Sequence, residues 1–136
     1  MILEDILDFL EEQNALNNFG FKNFYIGKLN TKEDYSLGVY NLKKNGTIDD
    51  MYCVGGLRTF KVLNISLLLH INDSFRETEE ISNKFFNYLL ELGYKETFKI
   101  KDYSVSFVKL LSNNEDVGQD DNGIYERVIN VAFYYK

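Results

Sequence analysis

Two side chains could begin a metal or nucleophile chemistry, His70 and Cys53, and each is the only one of its type in the chain. A single imidazole with one thiol falls short of the four nitrogen and sulfur ligands of a structural zinc site. A triad needs a marked nucleophile, and none stands near His70. Cys53 precedes Gly55-Gly56, but no G-x-x-x-x-G-K follows, so the glycines make no phosphate loop. The expectation for Cys53 is a structural thiol. Glu115, Asp116, Asp120 and Asp121 are the remaining concentration of ligand oxygens. Their spacing fails the calcium-loop pattern: counted from Asp116, the third position is Gly118 and the twelfth is Arg127. Residues 112–123 therefore read as a solvated hairpin loop ending in Asn122-Gly123. No catalytic residue, cofactor or metal is expected, and the chain reads as a non-enzyme.

The elements that hold these residues are legible from periodicity. From Arg58 the chain reads as one long strand in which Leu63, Ile65, Leu67, Leu69 and Ile71 share a face. Asn72-Asp73-Ser74 ends it. Ser74 and Glu77 form the S-x-x-E capping box of a helix, whose stripe is Ile81, Phe85, Tyr88, Leu89 and Leu92. Gly93 stands where a helix favours a left-handed C-terminal residue. Before this unit, residues 2–13 read as a helix, and Phe24–Leu29 and Leu37–Leu42 as strands. Lys43–Gly46 is a turn signal and Thr47–Gly56 an extended loop. After it come a connection over Tyr94–Lys101, a strand Tyr103–Leu111, and a final strand Ile124–Lys136. In the first of these strands, Tyr103, Val105, Phe107 and Lys109 should share one face. In the last, Tyr125, Arg127, Ile129, Val131, Phe133 and Tyr135 should do so.

The expected fold is α+β: a mixed, mainly antiparallel sheet of four or five strands with two helices packed on one face, as a single domain over 1–136. A strand from Arg58 to Ile71 at roughly 3.3 Å per residue would reach about 45 Å. That exceeds the 35–40 Å or so across a domain of this size. The strand must bend, break near Asn64, or project as a flat edge toward a neighbour.

With 15 basic and 21 acidic residues the formal charge is −6, which disfavours a protein that grips phosphates. Met1-Ile2-Leu3 runs directly into Glu4-Asp5, unlike a secretory leader, and the apolar run Leu67–Ile71 is too short for a bilayer. The reading is a cytosolic chain with no membrane partner.

Three stretches resemble the small tail-terminator, or minor capsid, proteins of tailed phages. The first is Ile6–Leu10 followed by Phe24-Tyr25-Ile26-Gly27-Lys28-Leu29. The second is the long strand and helix over Arg58–Leu92. The third is Val117–Glu126 leading into Val131-Ala132-Phe133-Tyr134-Tyr135. The family closes on a G-x-D-x-x-G hairpin, a Y-E pair and an aromatic strand, and Gly118, Asp120, Gly123, Tyr125 and Glu126 fit. Gln119 and Ile124 stand where the family commonly has arginine, and the family's loop prolines are absent. The resemblance implies a homo-oligomeric ring, a hexamer, at the head-proximal end of the tail tube. Such a ring stops tube polymerisation, meets the tube protein and in contractile particles the sheath, and offers a surface to the neck or head-completion protein. DNA passes its lumen unbound. The location would be the virion tail, after assembly in the host cytoplasm. Interface or lumen candidates are Met51, Tyr52, Arg58, Glu115, Asp116, Asp120 and Asp121. Two other readings stay open: a neck adaptor, and an acidic cytosolic inhibitor or immunity-type binding protein.

Overall fold

The computed structural model describes residues 1–27, 32–42, 51–52 and 58–136. The expected turn at Lys43–Gly46, most of the Thr47–Gly56 loop, Cys53, and the end of the Phe24–Leu29 strand lie outside them. The described elements are α1 (Leu3–Asn17), β1 (Asn23–Ile26), β2 (Ser36–Asn41), β3 (Met51–Tyr52), β4 (Arg58–His70), α2 (Phe75–Tyr94), β5 (Phe98–Ile100), β6 (Tyr103–Leu110), β7 (Glu115–Gln119) and β8 (Tyr125–Tyr135). The class is α+β. The sheet runs β1-β2-β4-β8-β6-β5, with β3 on β4 and β7 on β8, so it is larger than the four or five strands expected. Among the described residues, only β1 and β2 pair in parallel; every other pairing is antiparallel.

The strand β4 runs unbroken through Asn64, which pairs with Ala132 of β8. Its alternation decides its inner face. Ile65, Leu67 and Leu69 are fully buried, as is Ile71 just beyond the strand. Opposite them Ile129, Val131 and Phe133 of β8 are equally buried. These residues share one core with Ile6 and Leu10 of α1 and with Phe85, Tyr88, Leu89 and Leu92 of α2. Phe19 and Phe21, just after α1, meet Phe85 edge-on at 5.0 and 5.7 Å between ring centres.

Four local expectations change. Helix α1 continues to Asn17, and Asn18 turns it with a left-handed φ of 55°. At the start of α2, Ser74 Oγ accepts the Glu77 amide at 3.3 Å. The reciprocal arm of the capping box is missing: the Ser74 amide donates to Asn72 Oδ1 at 3.0 Å, and the Glu77 carboxylate instead accepts from Tyr35 and Asn72. Gly93 lies inside the last turn of α2 rather than beyond it. In β6 the register shifts between Val105 and Phe107. This bulge breaks the alternation, so Val105 and Val108 are both buried while Phe107 is exposed.

The acidic stretch is also not all loop. Glu115–Gln119 is a strand paired to the first residues of β8. The chain reverses over Asp120–Gly123: the Gly123 amide donates to the Asp120 carbonyl, and the Asp120 amide to that of Ile124, both at 3.0 Å. Gly123 takes the left-handed φ of 78° alone, and Asn122 does not. The turn is thus a three-residue connection with its glycine at the last position, not a two-residue Asn-Gly turn.

Candidate functional site

The end of β4, the start of β8 and the β7–β8 turn meet at one place. His70 is the last residue of β4. In register it stands between Ser36 of β2 and Glu126 of β8. It is fully buried. Its Nδ1 lies 2.8 Å from the Glu33 carbonyl, and its Nε2 lies 2.6 Å from Asp120 Oδ2. A carbonyl can only accept, so Nδ1 carries a proton. Asp120 engages Nε2, so both ring nitrogens face oxygen partners. Neither nitrogen is then free to act as a base, which speaks against a hydrolytic triad.

Asp120 is held from both sides. While Oδ2 meets His70, Oδ1 accepts the amides of Asn122 and Ile124 at 2.9 and 3.0 Å. Its side chain is 9% exposed. Burial works against its charge, but the bond from His70 and the two amides outweigh it and hold the carboxyl below its ordinary range. Gly118, the other fixed position of the hairpin, has φ 96° and donates its amide to Asp116 Oδ1 at 2.9 Å. It sits at the register shift between β7 and β8.

Glu126 completes the cluster. One ligand atom each from His70, Asp120 and Glu126 lies within 4.8 Å of the other two. Burial first, and the nearby Asp120 charge second, push the Glu126 carboxyl above its ordinary value against the pull of His70. The sign follows by linkage. A carboxyl whose pKa rises on folding costs stability while ionised, and this cost disappears below its unfolded pKa, where it is protonated in both states. Glu126→Gln is therefore expected to stabilise the chain at pH 7 by about 0.5 kcal/mol, with no gain at pH 4. Urea denaturation in a chelator at both pH values measures it; a loss of stability at pH 7 would mean that attraction to His70 dominates.

Beside the cluster, Arg127 is buried and its guanidinium lies 5.4 Å from the Phe75 ring centre. Its Nε is 4.0 Å from Asp116 Oδ1 and makes no hydrogen bond. Phe75 meets Tyr125 edge-on at 5.4 Å.

The sequence candidates separate accordingly. Asp120 faces inward to His70 rather than outward from a solvated loop. Asp121 is exposed at the turn, and Glu115 and Asp116 are exposed on β7. Met51 and Tyr52 form β3 against Phe60 and Arg58 of β4, at the far end of that strand from His70. The structure does not bring these two groups together. The cluster itself was missed because ligand counting looked for sulfur and imidazole near His70. Its real companions are carboxylates 50 and 56 positions later in sequence.

Among the described residues, no helix is long and apolar enough to cross a membrane. No protein-family model matches the chain, and no curated protein matches it.

Proposed function

We propose that the chain is a tail-terminator protein of a tailed phage or phage-tail-like particle. It assembles as a ring at the head-proximal end of the tail tube, ends tube growth, and presents a joining surface to the neck. The observation that carries this reading is the hairpin that gave the resemblance. Gly118 and Gly123 hold positive φ, Asp120 ties the turn to the sheet, and Tyr125 and Glu126 open the aromatic final strand. Each matched residue thus has a local structural task in the hairpin.

Surface features support assembly. The first residues of β4 pair with the short β3, while pairing to β8 starts only at Lys61. Among the described residues, this end of the long strand has no partner on its β8 side, and such an edge suits a neighbour. Leu90, Tyr94 and Phe107 leave large apolar groups exposed beside the α2–β6 groove, as surfaces that bind other proteins do. Phe60 of the β4 end meets Phe107 at 5.9 Å between ring centres, so these features form one continuous surface, the first of the two complementary patches that a closed ring needs on each subunit. Met51, Tyr52 and Arg58 belong with the first. Glu115, Asp116 and Asp121 remain lumen candidates, where like charge would keep DNA from adhering. Asp120 leaves that group because its carboxylate is engaged by His70. No reaction and no cofactor enter this function.

The test is tail length in negative-stain electron micrographs after removal of the gene from the particle that carries it. Tubes of uncontrolled length are expected. Tails of normal length that fail to join heads would replace the terminator with the neck adaptor. Normal, infectious particles would overturn the virion role altogether.

A further inference from the structure

We propose that His70, Asp120 and Glu126 form a binding site for one divalent first-row metal ion, such as Zn²⁺, that tethers the β7–β8 turn to the end of β4. The argument starts from His70. Its Nδ1 proton is committed to the Glu33 carbonyl at 2.8 Å. That is the outer hydrogen bond by which metal-binding imidazoles are oriented, and it leaves Nε2 as the coordinating atom. Nε2 points at Asp120, and a Glu126 oxygen lies in the same cluster, every pair of ligand atoms being within 4.8 Å.

Charge gives the second argument. Among the described residues, the cluster sets two carboxyl groups against one imidazole. A proton on Nε2 offsets one carboxylate; a divalent ion in its place offsets both. Arg127, the nearest other cation on β8, is directed to Asp116 and Phe75 instead. One nitrogen and two oxygens suit zinc, manganese or iron(II) better than the all-oxygen preference of calcium or magnesium.

The geometry requires a small opening. Tetrahedral coordination with ligand distances of about 2.0 Å separates two donors by about 3.3 Å, whereas Nε2 and Oδ2 now stand 2.6 Å apart. Asp120 Oδ1 already anchors the turn through the Asn122 and Ile124 amides, so Oδ2 can shift without undoing it. Binding releases the Nε2 proton and forms no covalent bond to carbon.

The experiment uses the full chain labelled with ¹⁵N-histidine, stripped with chelator and titrated with Zn²⁺. With one histidine in the sequence, the imidazole nitrogen signals need no assignment. One equivalent of Zn²⁺ is expected to move the Nε2 resonance and leave Nδ1 protonated. The same change is expected in Cys53→Ser, which removes the only thiol. Glu126→Gln is expected to weaken binding by about tenfold or more, and its fold is verified separately by denaturation in chelator. Imidazole signals unmoved by excess Zn²⁺, binding that vanishes with Cys53→Ser, or undiminished affinity in Glu126→Gln would each overturn the site.

Discussion

Asp120→Ala is expected to lower the unfolding free energy by about 3 kcal/mol at pH 7 in chelator, the range for removing one partner of a buried charged pair. Two losses combine. His70 is left fully buried without the hydrogen-bond partner of its Nε2, and the amides of Asn122 and Ile124 lose the oxygen that closes the turn. Asp120→Asn separates them. Its carbonyl can still accept the two amides, and its NH₂ can donate to an unprotonated Nε2, so the cost should fall to about 1 kcal/mol, that of a hydrogen bond without charge. The pH dependence has a definite sign. The folded Asp120 pKa lies below the ordinary 3.8. Its contribution is therefore complete above that value and is lost as pH falls through the lower folded pKa. Urea denaturation from pH 7 down to pH 3 should show the native chain and Asp120→Ala converging only below pH 4. A difference under 1 kcal/mol at pH 7 would mean that the turn is held by its backbone alone.

This pair also shows where sequence reading stops. The strand β4, the stripe of α2 and the inner face of β8 are legible because burial imposes a period of two or 3.6 on apolar residues, and Leu67, Phe85 and Ile129 obey it. The strand β7 carries no such signal. Its residues Glu115, Asp116 and Val117 are all exposed, and only backbone pairing to β8 makes them a strand. The three-residue β5 is too short for a period, and the face change in β6 depends on a bulge that Ser104-Val105-Ser106-Phe107 does not announce. His70 and Asp120 meet because β4 and β8 lie side by side, a fact of topology rather than of spacing. The visible hint was the aspartate of Asp120-Asp121-Asn122-Gly123: such a residue bonds its own turn with one oxygen and has a second to offer. Nothing local says that the second oxygen meets His70.

Gly93 is the position where a correct residue was read for the wrong reason, and its replacement should be severe for one methyl group. As a helix terminator in left-handed conformation, Gly93 would accept alanine at a cost of roughly 1–2 kcal/mol of backbone strain. It is instead helical, with no positive φ, where alanine is intrinsically preferred over glycine by about 1 kcal/mol. The reason for glycine is across the interface. A Cβ at this position would stand 2.7 Å from the Val108 carbonyl oxygen of β6. That atom belongs to the backbone of a paired strand, Val108 being in register with Phe133 of β8, so it cannot rotate away as a side chain would. Relief requires α2 to lift from β6 and reopen the packing of Leu89 and Leu92, both buried there. Overpacking of this kind costs about 1–3 kcal/mol, and the loss should fall near the top of that range, about 2 kcal/mol after the helical gain is subtracted. Two variants isolate the cause by urea denaturation. Gly93→Ala should destabilise, whereas Tyr94→Ala, next in the same helical turn and 88% exposed, should change stability by no more than about 0.5 kcal/mol. A neutral or stabilising Gly93→Ala would mean that α2 and β6 do not approach each other as closely as this packing requires.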